Sequence, residues 1–142
     1  MIAIFDVGKT NKKFLLFDLS LNLIHQEEKL FAEIHDDDGF ESDDIDGIVS
    51  WMKSRLTEVI RSEEHQVIAL NFTSYGASLV HLDHHGGRVT PLYNYLKPMP
   101  EGLTEEFHEA WGGVEEFCRI TASPALGMLN SGMQMLWLKK TK

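Results

Sequence analysis

The sequence predicts an α/β fold whose mixed sheet opens in the order β-β-β-α-β, and three observations predict it. Two short apolar runs, residues 2–5 and 14–17, are separated by a polar turn, which is the pattern of a hairpin. Apolar residues then recur at intervals of three and four from Ile45 through Ile48, Val49, Met52, Leu56 and Val59 to Ile60, the period of one helix face. A further apolar run, QVIALNFT at residues 66–73, reads as a buried strand that a helical crossover returns parallel to the first.

The remaining elements follow in order. Residues 19–22 read as a turn and residues 23–34 as a third antiparallel strand. Ser42, Asp43 and Asp44 are good helix starters, so the helix begins after them, with Trp51 and the charged residues away from its apolar face. Residues 78–83 and 88–92 flank the turn signal HHGG and suggest another hairpin. Short helices are expected over 104–111, 114–120 and 132–140, interrupted by Gly112, Gly113 and Pro124. Met128, Met133 and Met135 are expected to fill core space.

A chain of 142 residues suits one domain with a real core, and 43% hydrophobic with 25% charged residues is a globular composition. No apolar run reaches the length of a membrane span, and the chain enters a strand containing Asp6 without a signal-peptide pattern, so the cytoplasm is the expected location. A single cysteine, Cys118, agrees with a reducing compartment and reads as a small apolar helix residue. Thirteen basic against twenty-two acidic residues give a net charge of −9, which argues against nucleic acid and anionic membrane as partners. The acidic run around HDDDGFESDDID is expected to be a solvated loop before the helix, since it lacks the ligand spacing of an EF-hand. His81, His84 and His85 beside Asp83 read as turn residues rather than a metal site, because adjacent turn side chains diverge.

The chemistry concentrates at the first turn, which carries Asp6, Gly8, Lys9, Thr10, Asn11 and Lys13. Gly8 permits positive φ and lets amides turn toward an anion, Thr10 and Asn11 add neutral donors, and Lys9 and Lys13 add charge. Asp6 has the wrong sign for a phosphate unless a hard cation lies between them, and Mg²⁺ held partly through water meets that need. An ordinary hairpin turn explains an Asp and a Gly equally well; the order D-x-G-x-T-x-x-K between two buried strands is what favours the phosphate reading. There is no Walker pattern and no strand-to-helix transition after the glycine.

That motif resembles the first phosphate motif of the sugar kinase, Hsp70 and actin superfamily, whose ribonuclease-H-like domains open with such a hairpin. The later segments GFESDDIDGIVSWM, NFTSYGASLVHLDHHG, TPLYNYLKP and MLNSGMQMLWLKK extend the resemblance over residues 1–142 to the N-terminal part of the first domain of FGGY carbohydrate kinases, nearest to the rhamnulokinase and fuculokinase type. A chaperone-like or actin-like ATPase shares the hairpin but not these segments.

The resemblance implies ATP-dependent phosphorylation of a sugar hydroxyl, on a ketose or deoxyketose such as rhamnulose, fuculose or xylulose, with Mg²⁺. Asp6 would organise the metal, Gly8, Lys9, Thr10, Asn11 and Lys13 would hold phosphate, and Lys13 would stand where an Arg is more frequent. Thr73, Ser74, Tyr75, Gly76 and Ala77 follow a buried strand and, with Tyr95, would meet the sugar, the aromatic rings serving either the sugar or the core. Gly76 and Ala77 fall where glycerol-type kinases carry an Arg and a Glu, which speaks against glycerol. The general-base Asp and most of the adenosine site are expected beyond residue 142, so these residues alone are expected to be inactive; the alternative is a noncatalytic phosphate- or sugar-binding module. A partial domain that exposes apolar surface is also expected to self-associate, with a homodimer as one form.

Overall fold

The computed structural model describes residues 1–142 and divides into two compact units, residues 1–35 with 43–76 and residues 36–42 with 77–142. Two separate apolar clusters underlie the division, one around Phe5 and one around Trp137.

In the first unit, β1 (Ile2–Val7), β2 (Lys12–Phe17), β3 (Leu23–Lys29) and β6 (Ala69–Ser74) form one sheet in the order β3-β2-β1-β6. β1 runs antiparallel to β2 and parallel to β6, as the β-β-β-α-β reading requires. Period-two alternation sends Ala3 and Phe5 of β1 and Phe14 and Leu16 of β2 to one face, where they are buried with Trp51. The rings of Phe5 and Phe14 lie 4.8 Å apart, and Trp51 meets Phe5 edge-on at 5.7 Å.

Helix α1 (Ile45–Arg61) covers this face. Asp44 is its N-cap, accepting the Gly47 amide at 2.9 Å. The buried stripe runs through Ile48 and Trp51, whereas Val49 and Ile60, expected on the apolar face, are exposed. Spacing alone cannot tell which of two overlapping stripes meets the sheet. Trp51 wins because its ring fills the space beside Phe5 while its indole N–H donates to Glu27 of β3 at 2.9 Å.

Two strands differ from expectation. The third strand stops at Lys29 rather than residue 34; Ile34–His35 form a separate short strand, β4. β6 is exposed at every position rather than buried, because it is the sheet edge and α1 lies over the opposite half: Phe72, stacked on Phe5 at 5.7 Å, is still 52% exposed.

The second unit contains β5 (Glu41–Ser42), α2 (Leu103–Ala110), α3 (Val114–Thr121), a 3-10 turn at Gly127–Leu129 and α4 (Ser131–Thr141). Tyr93, Met128 and Trp137 form its core, Met133 is buried, and Met135 is exposed rather than core-filling. The acidic run is not uniformly solvated. Asp36 is buried, accepts the Asp38 and Phe40 amides at 2.9 Å each, and pairs with Lys97 at 2.6 Å. Lys97 also lies 5.2 Å from the Tyr93 ring and 5.0 Å from Trp137, a cation held between carboxylates and aromatic faces. The clustered Asp36, Asp37 and Asp38 carboxylates are thus engaged by Lys97 and Lys142. The expected hairpin at 78–92 contracts to one bridge, Leu82 to Arg88, around a turn in which Asp83 accepts the His85 and Gly87 amides at 2.8 Å.

Candidate functional site

The tip between β1 and β2 is closed by the Gly8 amide donating to the Asn11 carbonyl at 3.0 Å. Gly8 is needed there for closeness rather than for positive φ, which it does not adopt. A Cβ at Gly8 would lie 2.8 Å from the Asn11 carbonyl oxygen.

Strand parity sorts the charged residues of the tip onto opposite faces. Asp6 is the register partner of Lys13 on β2 and of Thr73 on β6, so the three form one row across the open face. Neither the Asp6 carboxylate nor the Lys13 ammonium has a hydrogen bond or ion pair with another side chain. Facing residues on adjacent strands lie close enough for long side chains to reach a common ligand. The row stands at the C-terminal ends of two parallel strands, the edge where α/β sheets bind ligands.

Lys12 points the other way, onto the face with Phe14 and Leu16, and is 2% exposed. Its ammonium donates to the Lys9 carbonyl at 2.8 Å and to Asp43 at 3.0 Å. Lys9 donates to the other Asp43 oxygen at 2.8 Å and approaches Glu33 at 3.4 Å; the Tyr75 hydroxyl donates to that same Asp43 oxygen at 2.9 Å. Asp43, placed just before α1, therefore ties the hairpin tip, the helix start and the segment after β6 together. Burial pushes its carboxyl up, but the hydrogen bonds from Lys9, Lys12 and Tyr75 outweigh burial and hold it below the usual carboxylate range. Burial pulls the Lys9 ammonium down, and its bonds to Asp43 and Glu33 more than offset that, so its pKa is raised.

The expected site residues are distributed as follows. Asp6, Gly8, Lys9, Thr10, Asn11 and Lys13 share one tip, with Thr10 exposed and Lys9 held by Asp43 and Glu33 rather than facing solvent alone. Ser74, Tyr75 and Gly76 belong to the same unit; the Tyr75 amide donates to the Val7 carbonyl at 3.3 Å, and a Cβ at Gly76 would meet open space. Ala77 and Tyr95 belong to the second unit, where the Ala77 carbonyl accepts the Gln134 side-chain amide. Lys12 and Asp43 are additional members of the tip's network, and Thr73, expected on the substrate side, joins the row beside Asp6. Parity counted back from Phe14 and Leu16 points to Lys12, whereas Asp43 carries no local signal.

A single half-buried carboxylate without a protein partner, beside a free ammonium and a hydroxyl, fits Mg²⁺ held mainly by water and phosphate oxygens, not a cation caged wholly by protein.

The model of the N-terminal domain of the FGGY family of carbohydrate kinases matches residues 1–142. The chain belongs to this family. Among curated relatives, the glycerol kinase of Fusobacterium nucleatum is 32% identical over 98 residues, covering 67% of this chain and 19% of that protein. Glycerol kinase 2 of Pseudomonas aeruginosa is 24% identical, covering 96% and 28%. A solved carbohydrate kinase from Novosphingobium aromaticivorans superposes with a TM-score of 0.79 at 26% identity, over 97% of this chain and 28% of that one. The FGGY chain described here thus spans less than a third of the length of these relatives. They place it among carbohydrate kinases without supporting a rhamnulokinase-like specificity. For an FGGY kinase domain, the mixed sheet with its hairpin tip is the expected architecture.

Proposed function

We propose that this domain supplies the phosphate-holding part of an ATP-dependent kinase that phosphorylates a hydroxyl of a sugar or polyol. The observation that carries this reading is the row of Asp6, Lys13 and Thr73 beside the closed Gly8–Asn11 tip, with Asp6 and Lys13 unpaired while the other two lysines of the tip are engaged by Asp43. Bound MgATP would supply the transferable phosphoryl group and the divalent charge that screens it. Asp6 orients water around that cation. Lys13 sets a positive charge toward phosphate, and the Gly8 backbone, Thr10 and Asn11 offer neutral hydrogen-bonding groups at the tip. Lys9 contributes charge from its place beside Asp43. A lysine at position 13 acts as a point charge without the fork of an arginine.

On the acceptor side, Ser74, Tyr75 and Gly76 supply hydroxyl and backbone groups suited to sugar hydroxyls, and Ala77 and Tyr95 are carried as further candidates by the family resemblance. The general base is assigned to an Asp outside these residues. The test is ADP release by the longest natural chain containing these residues, with MgATP and rhamnulose, fuculose, xylulose, ribulose or glycerol in turn. Turnover with one of them, abolished by Asp6→Ala, is expected. Binding of nucleotide without turnover on any acceptor would instead favour a noncatalytic phosphate-binding module.

A further inference from the structure

We propose that a pocket formed wholly within the second unit by α2, α3 and the start of α4 binds a small organic carboxylate with an apolar body. The pocket encloses about 250 Å³ and is walled by Phe117, Cys118, Pro124 and Met133. A 150 Å³ apolar cavity holds a benzene ring, so this space accommodates a body of that size with a carboxylate added.

Two independent features set the charge of the ligand. The first is the N-terminus of the 11-residue helix α4. Ser131 and Gly132 line the pocket, and their amides have no acceptor. Asn130, the N-cap, gives them none: its side chain is committed to the Ser123 hydroxyl at 3.1 Å and the Leu126 amide at 2.7 Å. Open amides and the positive end of the helix dipole favour an anion.

The second is His108. It lines the same pocket at 8% exposure, its ring edge-on to Phe107 and Phe117 with centroids 5.5 Å from each, and its nitrogens have no hydrogen-bond partner. An imidazole without a protein partner on a pocket wall is open to a ligand acceptor, and a carboxylate oxygen would satisfy it. His108 is the only titratable nitrogen on a lining that carries no acidic side chain. Glu105 and Glu109 line a neighbouring recess that shares His108, which disfavours a multiply charged anion. One titratable donor and two amides match a single carboxylate better than a polyphosphate. The site is separate from the hairpin tip and does not depend on the kinase reading.

The test is titration of the ¹⁵N-labelled chain with benzoate and with benzyl alcohol, its neutral counterpart, followed by amide shifts and calorimetry. Saturable benzoate binding is expected, with shifts centred on Ser131 and Gly132 and affinity about tenfold or more above that of benzyl alcohol, as one charge-assisted hydrogen bond provides. Ser131→Pro removes an amide that bonds to nothing, at the first helical position after an extended residue, where proline is well accommodated. It should lower benzoate affinity about tenfold while leaving the unfolding midpoint in place, and His108→Phe, which keeps the ring packing, should do the same. Equal affinity for acid and alcohol, shifts centred on Gly8–Lys13, absence of saturation, or full benzoate affinity in a folded Ser131→Pro variant would each overturn the assignment.

Discussion

Lys12 and Asp43, 31 residues apart, meet at 3.0 Å with only 2% and 7% of their side chains exposed. The bond is a buried ion pair whose second carboxylate oxygen is shared by Lys9 and Tyr75. It joins the hairpin tip to the start of α1, and it governs several expected behaviours.

Removing one member of a buried pair strands the other in a site without solvent. Asp43→Ala should therefore destabilise the chain by about 3–5 kcal/mol. Lys12→Met should cost less, because Asp43 keeps Lys9 and Tyr75. Urea unfolding of both variants checks the order; equal losses would contradict it.

The Asp43 and Asp36 carboxyls are both held below their ordinary value of 3.8. Depressed acids contribute stability that is fully present above that value and is lost as pH falls through the folded pKa. The urea midpoint should hold level from neutral pH down to the ordinary carboxylate range and drop below it, and Asp43→Asn should flatten that drop. At the basic end, the raised Lys9 pKa contributes stability present below 10.5 and lost as pH rises past it.

Asp6 bonds to no other side chain, so Asp6→Ala should change stability by less than about 0.5 kcal/mol. Magnesium-dependent nucleotide binding should nevertheless be lost. Calorimetry with MgADP alongside thermal unfolding separates the two; a variant that unfolds early would assign Asp6 to structure instead.

Gly8→Ala sets a methyl group 2.8 Å from the Asn11 carbonyl oxygen. The tip must widen, at a cost of about 1–3 kcal/mol typical of overpacking. Nucleotide affinity should fall with it, whereas Gly76→Ala, which meets open space, should leave stability nearly unchanged.

β6 presents an unpaired edge with Leu70 and Phe72 exposed. Exposed apolar edges template association. Sedimentation should show mass rising with concentration, reduced by Leu70→Lys; a monomer at every concentration would sink this expectation.

Much of the first unit is legible along the chain because its signals are local. The two apolar runs and the eight residues between them specify a hairpin, and the spacing of three and four with Asp44 ahead of it specifies α1. The choice of Trp51 over Val49 and Ile60 was not legible, since several stripes of one helix are apolar and only the sheet beneath selects one. The end of the third strand was equally hidden, because its pairing stops at Lys29 opposite Lys12, where β2 begins.

By itself, the sequence determined the fold class, the hairpin with its tight Gly8 tip and the family, since each rests on the identity and order of neighbouring residues. Only the tertiary structure decided which charges of that tip are engaged and which are free. Parity turned Lys12 inward to a carboxylate brought by a distant helix start and left Lys13 outward beside Asp6. Tertiary packing of α2, α3 and α4 likewise brought His108 and the start of α4, which has no side-chain cap, to one pocket. Pairing of charges depends on distances through space, and those exist only once the chain has packed.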